Sequence, residues 1–255
     1  MEEQVALYRI PETLEVARIL DDSVLDSYNE SIKSYNSEKA RKTLAIFNSS
    51  NNKLTGSNPF ALVHLANSGL LPKSSRLAER KDLETAVSLD NDFLSNNYVD
   101  FGLALRTEKD SYSPNELLSQ ELAKQLKQRE IKLEKGRLIS LNSLKLQENE
   151  NSDYGLVFAL NEQASKENIF DLNQFKWGYI RNGLARAFLS WRGWGSDGRF
   201  LADSDDSCRV VFVSAEGTAQ KFLDEYLAKL QKTRDEEIAN IQKRYSQAEA
   251  LLRGK

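Results

Sequence analysis

Residues 175–209, FKWGYIRNGLARAFLSWRGWGSDGRFLADSDDSCR, set the tightest limit on what this chain can become. All three tryptophans (Trp177, Trp191, Trp194) fall here, with five of the twelve glycines (Gly178, Gly183, Gly193, Gly195, Gly198). Arg181, Arg186, Arg192 and Arg199 are interleaved with them. Apart from a short stretch at 184–189, neither a helical nor a strand period of apolar residues persists. The segment is therefore predicted to be long and irregular inside an otherwise regular chain. Such segments in compact domains are usually functional or disordered, and the aromatic content argues against disorder. Trp, Tyr and Arg carry binding energy at interfaces, while Gly, Ser and Asp permit the turns that present them. The expected binding surface is 178–208.

Around this segment the chain reads as three regions. In the first, 1–52, Val24, Tyr28, Ile32 and Tyr35 share one helical face, and Ala40, Leu44 and Phe47 continue in the same manner. Asn48-Ser49-Ser50-Asn51-Asn52 then breaks the pattern and reads as a linker. The second region, 53–217, mixes elements. It holds a compact apolar run at 60–65, a helix at 77–89 and strands at 98–105, 137–146, 154–160 and 209–215. Ser113-Pro114-Asn115-Glu116 predicts a helix start, with Ser113 as N-cap and Pro114 at the first helical position, running to about 130. Helices and strands do not alternate regularly, which predicts an α+β fold rather than a doubly wound parallel sheet. The third region, 218–255, reads as one long charged helix. Ile238, Ile241, Tyr245, Ala248 and Leu252 repeat at three and four, as do Leu223, Leu227 and Leu230, offset by a stutter. A coiled coil and a helix packed on its own domain both suit that seam.

Several function classes are excluded or disfavoured by what the chain lacks. Its 255 residues suffice for a core without metals or disulfides. A net charge of −3 exerts no global pull toward nucleic acid or anionic lipid. Cys208 and His64 are each the single residue of their type. No internal disulfide can form, and a zinc site would lack ligands. Low cysteine use suits synthesis in a reducing cytoplasm. The N-terminus carries no secretory signal and no membrane span is visible. A virus particle or cell surface remains compatible as the final location. His64, among apolar neighbours, reads as a satisfied buried imidazole rather than a base. No nucleophile elbow, Walker or dinucleotide glycine pattern occurs. No enzyme is expected, and no cofactor.

The 175–209 segment, followed by the strand-like RVVFVSAEG at 209–217, resembles the variable region of proteins diversified by retroelements, in particular their archaeal and archaeal-virus branch. The resemblance rests on Lys176-Trp177, Arg181-Asn182-Gly183-Leu184-Ala185, Trp191, Trp194, Leu201-Ala202 and 209–217. Upstream it rests on Gly56-Ser57-Asn58-Pro59-Phe60, Arg76-Leu77-Ala78, Lys81-Asp82-Leu83-Glu84 and Tyr98-Val99-Asp100. It covers about 56–217. It implies a C-type lectin fold, with a small antiparallel sheet and two helices, displaying a surface altered by adenine-directed mutagenesis. Such mutagenesis reaches Ser, Gly, Asp, Arg, Tyr, Phe, Cys and Ile from an asparagine codon but not Trp. On this reading Trp177, Trp191 and Trp194 are scaffold. A sulfatase-activating oxidase family shares the fold, but its chemistry needs a pair of cysteines.

The expected ligand-binding face is then built from Tyr179, Ile180, Arg186, Phe188, Ser190, Arg192, Gly193, Gly195, Asp197, Gly198, Arg199 and Phe200. Asp203, Asp205, Asp206, Ser207 and Cys208 complete it. Aromatics would supply contact area, Arg bidentate hydrogen bonds, and Gly the openings between them. The expected partner is a protein or a surface glycan. The run Asp203-Ser204-Asp205-Asp206-Ser207 is superficially calcium-like, but it lacks the glycine and distal glutamate of an EF-hand loop. It reads as a solvated acidic turn, and no metal is expected. An alternative is an assembly protein that oligomerises through its flanking helices. A third reading, nucleic-acid binding through Arg and Trp, sits awkwardly with the acidic 203–206 turn.

Overall fold

A computed structural model of the chain describes residues 16–214 except 91, 108–110, 135, 167, 173–181, 191 and 199–200. Toward the C-terminus it describes 231, 232, 234, 235, 238–247 and 249. The chain divides into one compact unit, Val16–Ser214, and a second drawn from residues 1–15 and 215–255. In the second, every described residue is helical, and the rest of the helix expected over 218–253 lies outside the described residues.

The first unit is α+β, and each pairing between its named strands is antiparallel. It opens with β1 (Val16–Ile19), α1 (Leu25–Ser31) and α2 (Glu38–Leu44), followed by a hairpin of β2 (Asn48–Ser50) and β3 (Lys53–Thr55). The turn residues read as a linker are thus the tip of that hairpin, with Asn51 and Asn52 in the left-handed conformation that asparagine tolerates. Tyr28, Ile32, Ala40 and Leu44 are buried in the same cluster as residues from the rest of the unit. The boundary expected near 52 therefore separates no independent core.

The apolar run at 60–65 lies in α3 (Pro59–Asn67), whose Asn58 N-cap accepts from Ala61 N at 2.8 Å. Phe60, Ala61, Leu62, Val63 and Leu65 are all buried, so α3 runs through the core rather than over it. Next come β4 (Ser75–Leu77), α4 (Arg80–Leu89), β5 (Tyr98–Arg106) and α5 (Glu116–Gln128). The start of α5 departs from the sequence reading. Its N-cap is Asn115, left-handed at φ 63°, with Ser113-Pro114 before the helix. Beyond it lie β6 (Arg137–Ser140), β7 (Leu144–Glu148), β8 (Leu156–Leu160) and β9 (Ile169–Asp171). The single strand expected over 137–146 is therefore two strands joined by a 3-10 turn at Leu141–Ser143.

The segment predicted to be irregular contains β10 (Gly183–Ser190) and β11 (Gly193–Asp197), paired as a hairpin. These strands occupy one end of a five-stranded sheet in the order β11-β10-β5-β6-β9. β12 (Val211–Ser214) lies between β1 and β4 in a second sheet. The long sheet is covered on both faces. Leu103, Leu105 and Leu184 belong to one buried cluster, and Val99, Phe101, Ala104, Ala185, Ala187 and Leu189 to the other. Burial of each Leu, Val or Phe among them contributes roughly 1.5–3 kcal/mol.

Candidate functional site

The site begins with a register shift. Along β10, Leu184, Arg186, Phe188 and Ser190 share one face, because side chains alternate with a period of two. Their partners on β5 are Leu105, Leu103, Asp100 and Tyr98, with the register shifting between Ala187 and Phe188. Phe101 is the extra residue. This bulge changes β5 from odd to even numbers on the shared face, and so aims Asp100 and Tyr98 beside Arg186 and Phe188. β11 adds Asp197, Gly195 and Gly193 opposite Arg186, Phe188 and Ser190. Glycine is required at 195: a Cβ there would meet the Phe188 ring at 2.7 Å.

Burial along this face is graded. Leu184 is core, Arg186 is 5% exposed, and Phe188 and Ser190 are half-buried. Arg186 Nε donates to Asp100 Oδ1 at 2.8 Å, and its Nη2 donates to Oδ2. Arg186 Nη1 donates to the Asp203 carbonyl at 2.7 Å. Burial pulls the guanidinium pKa down, but the Asp100 carboxylate more than offsets it and holds it above the ordinary value. Ser57 Oγ donates to Asp100 Oδ2 at 2.7 Å. Its proton being so used, the Cys208 thiol is the donor in the 2.6 Å contact with Ser57 Oγ. Cys208 is fully buried, and burial pushes its pKa well up, away from a reactive thiolate.

The loop after β11 is fastened over this pair. Tyr98 N donates to the Ser207 carbonyl at 3.1 Å, and Arg209 N donates to the Tyr98 carbonyl at 2.9 Å. Asp205 Oδ1 accepts from Ser207 N at 2.7 Å and from Ser207 Oγ at 2.5 Å. Asn58 Nδ2 donates to the Ala202 carbonyl at 2.9 Å. Gly56, at φ +78°, leaves no room for a side chain: a Cβ would lie 2.5 Å from the Ile46 carbonyl and 2.9 Å from Ser204 Oγ. A cavity of about 350 Å³ remains between loop and sheet. Tyr98, Arg186, Phe188, Ser190 and Asp197 line it from the strands, and Asp203, Ser204 and Asp205 from the loop. The Tyr98 and Phe188 rings meet edge to face at 6.0 Å, and burial raises the Tyr98 phenol pKa well above its ordinary value. Ser204 Oγ is buried with no hydrogen-bond partner among the described residues.

Of the residues predicted for the binding face, six line this cavity: Arg186, Phe188, Ser190, Asp197, Asp203 and Asp205. Arg192 and Asp206 are exposed; Gly193, Gly195 and Ser207 are partly so. Three predicted face residues are buried and need correcting. Arg186 holds the Asp100 pair, Cys208 lies beneath Ser57, and Gly198 fits against Pro114, where a Cβ would meet that ring at 2.7 Å. Tyr179, Ile180, Arg199, Phe200, Trp177 and Trp191 lie outside the described residues. Trp194 is on the opposite face of the hairpin. It packs edge to face on Phe101 at 5.1 Å and lies beneath the Arg80 guanidinium, also 5.1 Å away.

Sequence reasoning missed Tyr98, Asp100, Ser57 and Ser204 as site residues. The first three stand in upstream motifs whose only signal was the resemblance. His64 accepts or donates with Ser31 Oγ at 2.8 Å and Tyr35 Oη at 3.1 Å, away from the cavity residues. Among the described residues no group of three or more His, Cys, Asp or Glu is placed to hold a metal ion. No described helix is long and apolar enough to cross a membrane. No family model, no curated protein and no solved structure matches the chain.

Proposed function

We propose that this chain is a ligand-binding protein of C-type lectin fold, and that it recognises a protein partner through the β10–β11 hairpin face and the 203–207 loop. Binding is the whole activity; no chemical step is assigned. The observation that carries the reading is the convergence of five residues from one composition-biased segment, Phe188, Ser190, Asp197, Asp203 and Asp205, on a single cavity over a buried Asp100–Arg186 support. An antiparallel sheet with helices packed beside it and a long β11–β12 connection support the fold assignment.

On this proposal a retroelement diversifies the rim and spares the support. Sequencing sister genes and the flanking DNA tests it. Substitutions should concentrate at 188, 190, 192, 197, 203, 205 and 206, while 186, 195, 198 and 208 stay constant. A near-repeat of the coding segment, differing at template adenines, should accompany a reverse transcriptase gene. Variation spread evenly over the surface, in a locus with neither feature, would remove the proposal.

One observation favours a second reading, assembly through the C-terminal helix. Ile238, Ile241 and Tyr245 are 46%, 65% and 73% exposed and spaced at three and four, as on a helix face seeking a partner. Sedimentation of the full chain decides it: a monomer at micromolar concentration ends that reading.

A further inference from the structure

We infer that helical residues 238–247 pair with the same helix of a second copy of this chain, parallel and in register. This rests on the assembly reading and gives it a partner and a direction. The apolar face comes first. Ile238, Ile241 and Tyr245 are the exposed large hydrophobic side chains among the described residues, and their spacing puts them on one helical face. Single exposed apolar side chains are ordinary on a surface. A stripe of them at spacings of three and four is the seam by which helices pack on one another. Ala248 and Leu252 continue the same spacing in the sequence.

Charge decides the occupant and its direction. Ile238 and Tyr245 take the first seam position of successive heptads, and Ile241 the second. Arg244 then flanks the seam on one side, with Gln242 and Glu249 on the other. All three flanking residues are exposed. A parallel, in-register pair sets Arg244 of each copy beside Glu249 of the other, and two-fold symmetry makes that contact twice. An antiparallel pair centred on the same seam sets Arg244 against Arg244. On this seam the helix therefore complements itself in one direction and repels itself in the other. Glu249 already has an interaction within its own chain. Exposed ion pairs are weak, so its carboxylate can turn to the second copy at little cost.

A pair so joined brings two binding units at once to a partner that repeats on a surface. Avidity then follows from the link rather than from any new contact.

Sedimentation velocity of the full chain, read beside cysteine cross-linking, is the test. Arg244→Glu and Glu249→Arg should each weaken self-association about fivefold, and the two together should restore it to within about twofold. Ile238→Cys and Tyr245→Cys, oxidised separately, should each give a covalent dimer. Cys208 is fully buried and contributes no cross-link. Residues seven apart on a helix are about 10 Å apart along its axis, so an antiparallel pair can bring at most one of these two beside its twin. All four substituted residues are exposed and lie outside the 16–214 unit, which should fold unchanged. If the chain associates but only one cysteine variant cross-links, or neither does, the parallel inference is overturned while assembly stands. If the single reversals leave association unchanged, or the double variant does not recover it, the inference is overturned as well. A chain that stays monomeric at micromolar concentration ends both the inference and the assembly reading.

Discussion

Asp100 is the residue on which most of the site depends. Two nitrogens of Arg186 and the Ser57 hydroxyl donate to it, and the Cys208 sulfur lies 3.8 Å away. Replacing Asp100 with Ala strands a buried guanidinium without its counter-charge. The expected cost is about 3–5 kcal/mol, read as a lower urea midpoint. His64 gives a residue-scale prediction of another kind. Burial holds its pKa below the ordinary 6.5, so the unfolded chain binds the proton more readily than the folded one. Stability should therefore fall as pH drops below 6.5, and His64→Gln should flatten that part of a Tm-against-pH curve. Glu148, held low by backbone donors at Asn36 and Ser37, adds a further loss only at more acid pH. Neither role was fully legible in the sequence. An imidazole among apolar neighbours reads correctly as buried, but its hydroxyl partners lie 33 and 29 positions away. Arg186 read as a surface guanidinium because its counter-ion is 86 positions upstream.

Among the elements, the legible ones were those whose signal is local. β5 and β12 are dense in apolar and β-branched residues, and α5 keeps a helical period with Leu118, Leu122 and Leu126 buried. β10 was legible only as a short periodic stretch at 184–189, without a strand assignment, because its alternation is masked. Both its faces are largely buried, so Gly183–Ser190 shows no apolar-to-polar rhythm apart from Arg186. β11 reads Gly-Trp-Gly-Ser-Asp, poor in strand formers, and its pairing depends on the space Gly195 leaves for Phe188. No pattern in the sequence announces the bulge at Phe101. The hairpin is also pinned from outside. Asn115 Nδ2 donates to the Leu184 and Gly198 carbonyls at 2.9 and 2.7 Å, and its Oδ1 accepts from Tyr154 Oη at 2.9 Å. Asn115→Gly keeps the left-handed backbone and deletes all three bonds. It should cost about 3 kcal/mol, at roughly 1 kcal/mol per bond, and hydrogen exchange should quicken first in β10 and β11.

For the whole molecule, the question is where the folding unit ends. Composition shifts at 52 and 217 suggested the boundaries, yet β1 is a strand of the β1-β12-β4 sheet, and Tyr28, Ala40 and Leu44 are wholly buried. A chain cut to 16–214 should unfold in one cooperative urea transition. A chain cut to 53–217 should lack that transition, because it loses the strand beside β12 and part of the main core. Observation of the same midpoint for both would show that the N-terminal residues are dispensable.

The pairing of the first strand with the last has a consequence for engineering. Val16 sits directly across from Ser214 in an antiparallel ladder, so the two ends of the unit lie about 5 Å apart. A unit whose entry and exit nearly touch can be spliced into a surface turn of an unrelated carrier without stretching either. The cavity and its support would travel with it as a transplantable cassette.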